Sequence, residues 1–283
     1  MRIFEAPIPH RRLGIAALAA IAACAFAPGA FALEPQTGAA TVAVAPIFKD
    51  PRAALRQGIQ GYQNGDFATS IKALKYAADE GQPLARWKLG QMYASGDGVP
   101  NDHIKAYQYF TQITRAFDFD SSDPRERSIV ASAFVSVGVY DLSGIPNSGV
   151  RRNPDRAMEM FHFAATNFGD AHAQYQLARM YLDGNGVKRD ARIALQWLSA
   201  AADKNHVEAQ AVLGNILFAS KSSPSVRRAR GLMYLILARE AVGAKPEEQW
   251  IVDQYETAMA AASEPERQRA HEELGSFLKR RSR

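Results

Sequence analysis

Residues 77–99 read AADEGQPLARWKLGQMYASGDGV, and residues 164–187 read AATNFGDAHAQYQLARMYLDGNGV. One pattern has been written twice, with small shifts. Self-similarity on this scale points to a solenoid, in which each unit is a supersecondary element that buries its apolar face only against its neighbours. Such scaffolds mostly bind macromolecules along an extended face and rarely catalyse, so the repeat narrows the function before any single residue is weighed.

The units read as helical hairpins. Ile71, Leu74 and Ala78, then Leu84, Trp87, Leu89 and Met92, fall at three- and four-residue spacing, which makes one apolar stripe per helix. Asp50-Pro51, Asp123-Pro124 and Asn153-Pro154 each place a capping side chain before a proline suited to the first helical turn. Asp123 with Glu126, and Ser263 with Glu266, have the spacing of a capping box. Gly65, Gly81, Gly96, Gly144 and Gly169 stand where a left-handed residue or a tight turn closes a helix. No segment alternates with period two, so essentially no sheet is expected. The fold class is all-α, a right-handed α/α solenoid of helical hairpins.

Gly90, Gly138, Ala178 and Gly214 occupy one small-residue slot, at separations of 48, 40 and 36. A helix crossing its partner closely has no room there for a bulky side chain. The alanine pairs 77–78, 164–165 and 200–201 are expected to form the facing small surface. Trp87 and Tyr175 match as wedges, as do Tyr93, Tyr140 and Tyr181; these aromatics, with Trp197, read as core. The stretches at 96–99 and 184–187 are read as turns between hairpins. Insertions at 117–123 and 145–153 lengthen the second unit, and loops added to a solenoid usually project from one face.

The ends differ in character. Arg2, Arg11 and Arg12 precede an apolar, alanine-rich run from Leu13 to Phe26; Pro28-Gly29 breaks it, and Ala30-Phe31-Ala32 fits a cleavage site. Residues 1–32 read as a secretory signal peptide, which predicts a periplasmic protein with no stable membrane insertion after cleavage. A competing lipobox, Ile21-Ala22-Ala23-Cys24, would instead lipidate Cys24. That cysteine is the only one in the chain, so cleavage after Ala32 leaves a protein held by its core and not by disulfides. The resulting organisation is signal peptide 1–32, flexible lead-in 33–50, solenoid 51–243, and capping helices with a basic tail at 244–283.

The formal charge of +5 falls to +3 when Arg2, Arg11, Arg12 and Glu5 leave with the signal peptide. This mild excess and an exported address argue against nucleic acid. Lys279, Arg280, Arg281 and Arg283 concentrate it in what reads as a solvated tail.

The pattern A-x-Trp/Tyr-x-Leu-Gly-x-Met-Tyr followed by Gly-x-Gly-Val resembles Sel1-like repeats, relatives of tetratricopeptide repeats, over roughly residues 66 to 219. Combined with the signal peptide, residues 87–99, Ala106-Tyr107-Gln108-Tyr109-Phe110, the run Tyr234 to Glu240 and Gln249-Trp250-Ile251, the chain resembles the ExoR-type exopolysaccharide production regulators of alphaproteobacteria. That resemblance implies a periplasmic inhibitor that binds the outer domain of a sensor histidine kinase and holds a two-component pathway off. It also implies release by loss or proteolysis, with effects on exopolysaccharide synthesis and motility. The loop at 117–123 is a reasonable place for a periplasmic protease to cut. The alternative is a general periplasmic adaptor that organises envelope or polysaccharide-export proteins.

The sequence contains no G-x-S-x-G, H-E-x-x-H or Walker loop. No catalytic residue, cofactor site or metal site is assigned, and no carboxylate pair is singled out for glycan hydrolysis. Asp183-Gly184-Asn185-Gly186 lacks the later ligands of a calcium loop. The six histidines (10, 103, 162, 172, 206 and 271) show no ligand spacing. His162 and His172 are expected to approach each other within one hairpin. His103, His172 and His206 fall near helix N-termini, where a lowered pKa is expected. The partner surface is expected on residues that break the repeat: Phe117 and Phe119 in the first insertion, Arg151 and Arg152 in the second, and Arg227, Arg228 and Arg230 near the C-terminal helices.

Overall fold

The carboxylate of Asp50 accepts hydrogen bonds from the backbone N–H groups of Arg52 (3.0 Å) and Ala53 (3.1 Å), and so satisfies donors that the first turn of a helix leaves open. The same device recurs at Asp66, Asp102, Asp123, Asn153, Asp170 and Asp190. At Ser263 half of the capping box forms: its backbone N–H donates to Glu266 Oε2 at 2.9 Å. The computed structural model describes residues 48–118, 123–219, 224–243 and 245–281. The signal peptide, most of the lead-in, Cys24, His10 and Phe119 lie outside the described residues.

These caps start eight of the twelve α-helices among the described residues: α1 (Pro51–Gln63), α2 (Phe67–Asp79), α3 (Pro83–Ser95), α4 (His103–Ala116), α5 (Pro124–Ser143), α6 (Pro154–Asn167), α7 (Ala171–Asp183), α8 (Ala191–Ala202), α9 (Val207–Ala219), α10 (Ser225–Ala241), α11 (Gln249–Ala261) and α12 (Glu264–Arg281); α3, α10 and α11 begin without a side-chain cap. A single 3₁₀ turn, Pro246–Glu248, precedes α11. No strand occurs among the described residues. Consecutive helices pair as five hairpins, α1/α2 to α9/α10, and each hairpin packs on the next. Beyond them α11 lies against α9 and α10, and α12 against α10. This is the all-α solenoid of helical hairpins that the repeat implied. Phe48, at the end of the lead-in, packs its ring on Tyr76 (5.6 Å between centroids) and joins the first core cluster.

The small-residue slot is a packing requirement. A Cβ on Gly138 would stand 2.6 Å from Cε1 of Phe161, and one on Gly214 would stand 2.8 Å from Leu235 Cγ and from the carbonyl of Gly231. Gly90 lies under Phe110 in the same way. The slot extends to α1, where a Cβ on Gly58 would meet Leu74 Cγ at 2.6 Å. Thus the first hairpin obeys the rule although its sequence carries little of the motif.

Three features of register differ from the sequence reading. First, the Gly-x-Gly-Val turns lie inside the hairpins α3/α4 and α7/α8, not between hairpins. Gly96 and Gly184 are left-handed C-caps (φ 76° and 70°) that end α3 and α7. Second, the buried alanine pair of α8 is Ala201 and Ala202. Third, the aromatic slot of Tyr93 and Tyr181 is filled in α5 by Asp141, not Tyr140. The carbonyls of Tyr93, Asp141 and Tyr181 accept equivalent bonds from Asp102, Asn153 and Asp190 (2.9, 2.6 and 3.1 Å). Tyr140, one residue earlier, turns its hydroxyl to His103 Nδ1 at 3.0 Å.

Candidate functional site

Phe117 is half-buried. It stacks edge-on against Phe134, Phe163 and Phe168 with centroids 6.4, 6.3 and 5.4 Å apart. That cluster seals the joint between α4, α5 and α6, which accounts for the residue as core. Arg151 is exposed on the α5–α6 loop. Arg152, beside it, donates from Nε to the carbonyl of Leu142 (3.1 Å) and also bonds Asn185. Its counterpart in the next unit, Arg189, donates to Leu182 (2.8 Å) in the same way. Arg152 is thus a repeat-specific cap for the C-terminal carbonyls of α5.

The three C-terminal arginines separate. Arg228 turns inward: its Nε lies 2.6 Å from Glu266 Oε1, its Nη1 donates to the Phe218 carbonyl at 2.7 Å, and its guanidinium covers the Phe218 ring. This clamp joins α9, α10 and α12. The Arg228 hydrogen bond holds the Glu266 carboxyl below the usual carboxylate range. Arg227 and Arg230 are exposed and face a groove of about 1190 Å³ between α8, α9, α10 and α12.

Leu195, Leu213, Leu217, Met233 and Phe277 contribute apolar surface to this groove. Its rim carries Arg227, Arg230, Arg280 and Arg281. The supposed basic tail is therefore helical as far as Arg281 and forms part of a wall. Arg230 pairs with Glu273 at 3.1 Å. Arg281 bonds Asn205 and lies over the Phe277 ring at 5.5 Å. Among the described residues, neither Arg227, Arg280 nor Arg281 is ion-paired. At the base, the Tyr234 hydroxyl donates to Asp203 Oδ1 at 2.9 Å. Burial and the adjacent carboxylate push the Tyr234 pKa up to about 12, so it remains a donor at any physiological pH.

Sequence reasoning missed Arg280 and Arg281 as partners of Arg227 and Arg230, because the two groups are some fifty residues apart and meet only through α10/α12 packing. It also missed a second constellation. Asp141, with almost no exposed surface, accepts from the Tyr107 hydroxyl at 3.0 Å and lies 3.2 Å from Arg156 Nε. Burial raises its pKa, while Tyr107 and Arg156 act in the opposite direction. The signal was available: an acidic residue stands three positions after the slot residue, where two other units carry Tyr93 and Tyr181.

The histidines pair differently from the expectation. His162 lies beside the Trp197 ring, and His172 Nδ1 instead meets His206 Nε2 at 3.0 Å, across two successive hairpins. His206 Nδ1 accepts from the backbone N–H of Ala209 at 3.3 Å, which makes it the cap of α9. Its pKa is lowered as expected, but the main cause is burial, with His172 adding to it and Glu208 opposing it. Among the described residues no group of three His, Cys, Asp or Glu is placed to hold a metal. No helix there is long and apolar enough to cross a membrane.

Comparison with known proteins agrees with this architecture. The Sel1 repeat family matches residues 83–115, 138–167 and 171–206, so the α9/α10 hairpin lies beyond the matched stretches. The crystal structure of a Sel1 repeat protein from Oxalobacter formigenes superposes with a TM-score of 0.56 at 26% identity, covering 75% of this chain and 89% of that one. An exopolysaccharide production negative regulator of Rhizobium meliloti (strain 1021) is 32% identical over 255 residues, covering 90% of this chain and 87% of the relative. A second protein of that name, from Rhizobium leguminosarum bv. viciae, is 33% identical over 214 residues, or 75% and 77% of the two chains. The chain belongs to the family of exopolysaccharide production negative regulators, built on Sel1 repeats.

Proposed function

We propose that this protein works in the periplasm, where it binds the outer domain of a sensor histidine kinase and holds its two-component pathway off, so restraining exopolysaccharide synthesis. The observation that carries this reading is the similarity to named negative regulators over 90% of the chain. A repeat scaffold that leaves an arginine-rimmed groove open supports action by binding. The mechanism is a population shift. The protein binds the kinase's inactive conformation more tightly than the active one, and the repression it achieves is bounded by that difference in affinity. A periplasmic protease acting on the inhibitor, or any loss of affinity, then releases the kinase.

In-cell crosslinking of the tagged protein, followed by mass spectrometry, tests this. A sensor histidine kinase among the dominant adducts is the expected result. Envelope or export enzymes with no kinase would replace the inhibitor by the adaptor. N-terminal sequencing and intact mass of the exported protein test the processing: a chain beginning at Leu33 supports cleavage after Ala32, and a lipidated Cys24 replaces it with a lipid anchor.

A further inference from the structure

We propose that the groove between α8, α9, α10 and α12 receives an acidic amphipathic helix supplied by a protein partner. This deepens the regulatory reading and rests on the protein acting by binding. Three observations define the occupant. Aliphatic side chains line the groove, with Leu195 and Leu217 half-buried and Leu213 and Met233 buried. A surface of this kind suits leucine-type side chains spaced along one helical face.

The rim sets the charge. Arg227, Arg230, Arg280 and Arg281 face the groove, against Asp203 and Glu273. Both acids are engaged, by Tyr234 and Arg230 respectively. That leaves unpaired cationic charge on both walls, with Arg227 on α10 and Arg280 and Arg281 on α12. Carboxylates flanking an apolar stripe would meet it on either side, and guanidinium groups match carboxylates in geometry as well as charge.

The backbone decides the secondary structure of the occupant. Every wall is a helix whose mid-helix N–H and C=O groups are bonded within it, so an extended segment finds no backbone ladder there. A helix brings its own backbone bonds satisfied and has only side chains to place. Val226, 46% exposed at the rim, gives the helix a first apolar foothold.

The test uses the purified full chain and a fluorescein-labelled 18-residue peptide with leucines at i, i+3, i+4 and i+7 and glutamates beside them. Its affinity is compared with those of a scrambled peptide of equal composition, a lysine-for-glutamate version and an oligogalacturonate. The ordered acidic peptide should bind at least about tenfold more tightly than any of the others. Arg227→Glu with Arg280→Glu should weaken it at least about tenfold, and Val226→Asp several-fold. Arg239→Glu with Arg269→Glu, the same charge change outside the groove, should alter it less than about twofold. Unchanged thermal melts show that the variants still fold.

Equal binding of the scrambled peptide, stronger binding of the oligogalacturonate, or indifference to the groove variants would overturn the proposal. Crosslinking in cells separates its failure from that of the regulatory reading. A kinase captured equally by wild type and the Arg227/Arg280 variant sinks the groove and leaves the inhibitor. Peptide binding that depends on the groove, with no kinase captured, does the reverse.

Discussion

A Cβ placed on Gly138 would stand 2.6 Å from Cε1 of Phe161, a side chain with no exposed surface. Helix α5 can cross α6 this closely only because the position carries no side chain. Gly138→Ala gains helix propensity of about 1 kcal/mol, but the clash has nowhere to go and costs about 1–3 kcal/mol. Net destabilisation is expected, seen as a lower urea midpoint. Gly275 in α12 has open space around its missing Cβ, so Gly275→Ala should raise stability by about 0.5–1 kcal/mol. Changes of equal sign at the two sites would remove the slot as a packing constraint.

The Arg228–Glu266 clamp is structural, whereas the neighbouring Arg227 faces the groove. Replacing Arg228 by Met strands the buried Glu266 carboxylate and should cost about 2–4 kcal/mol. Arg227→Ala should stay within about 0.5 kcal/mol of wild type. The Glu266 carboxyl is held low in the fold, so its contribution is present above about pH 4.3 and is lost as pH falls through the folded value. The stability gap between wild type and Glu266→Gln should therefore narrow below pH 4. A gap independent of pH would mean that the ion pair does not form.

Asp141 should behave in the opposite sense. Burial raises its pKa above the unfolded value of about 3.9, so the folded state holds the proton more tightly than the unfolded chain. Its contribution is most favourable at acid pH and diminishes as pH rises through the folded value. Urea titrations at pH 4 and pH 7 check this. Wild type should gain on Asp141→Asn as pH falls, and a gap that moves the other way would show Tyr107 and Arg156 outweighing burial.

His206 caps α9 only while Nδ1 is unprotonated. Its pKa lies below the ordinary 6.5, so stability is lost as pH falls below about 6.5 and the unfolded chain takes up the proton first. Asp170, Glu208 and His172 all face this ring, and the Tyr175 ring stacks on it at 4.7 Å. His206→Asn keeps a capping side chain without the titration. Thermal melts at pH 7.5 and pH 5 should show wild type losing more than the variant. A parallel loss in both would place the acid sensitivity elsewhere.

The helices and their caps were legible in the sequence because each depends on residues within one or two turns of each other, and the glycine slot because it recurs from unit to unit. Asp50, Asp123 and Asn153 bond backbone two or three positions ahead, and Gly90 and Gly138 recur at fixed places in the pattern. The register slip at Tyr140 has a local cause too. An aromatic beside the position looked like the repeat's tyrosine, although the count of three from Gly138 gives Asp141, and the bond from Asn153 to the Asp141 carbonyl agrees with that count.

By itself, the sequence determined that the chain is a solenoid of helical hairpins, since a repeated amphipathic pattern can bury its apolar stripe only by stacking copies. It did not determine which loop-breaking and C-terminal residues meet. Phe117 went to an aromatic joint, Arg228 to a clamp and Arg152 to a helix end. Arg227 and Arg230 joined Arg280 and Arg281 across a groove. The side chains alone are ambiguous, because an arginine serves equally as cap, clamp or rim. The packing of α12 onto α10 decides between clamp and rim for Arg228, Arg227 and Arg230, and that contact spans too much of the chain for any local pattern to encode.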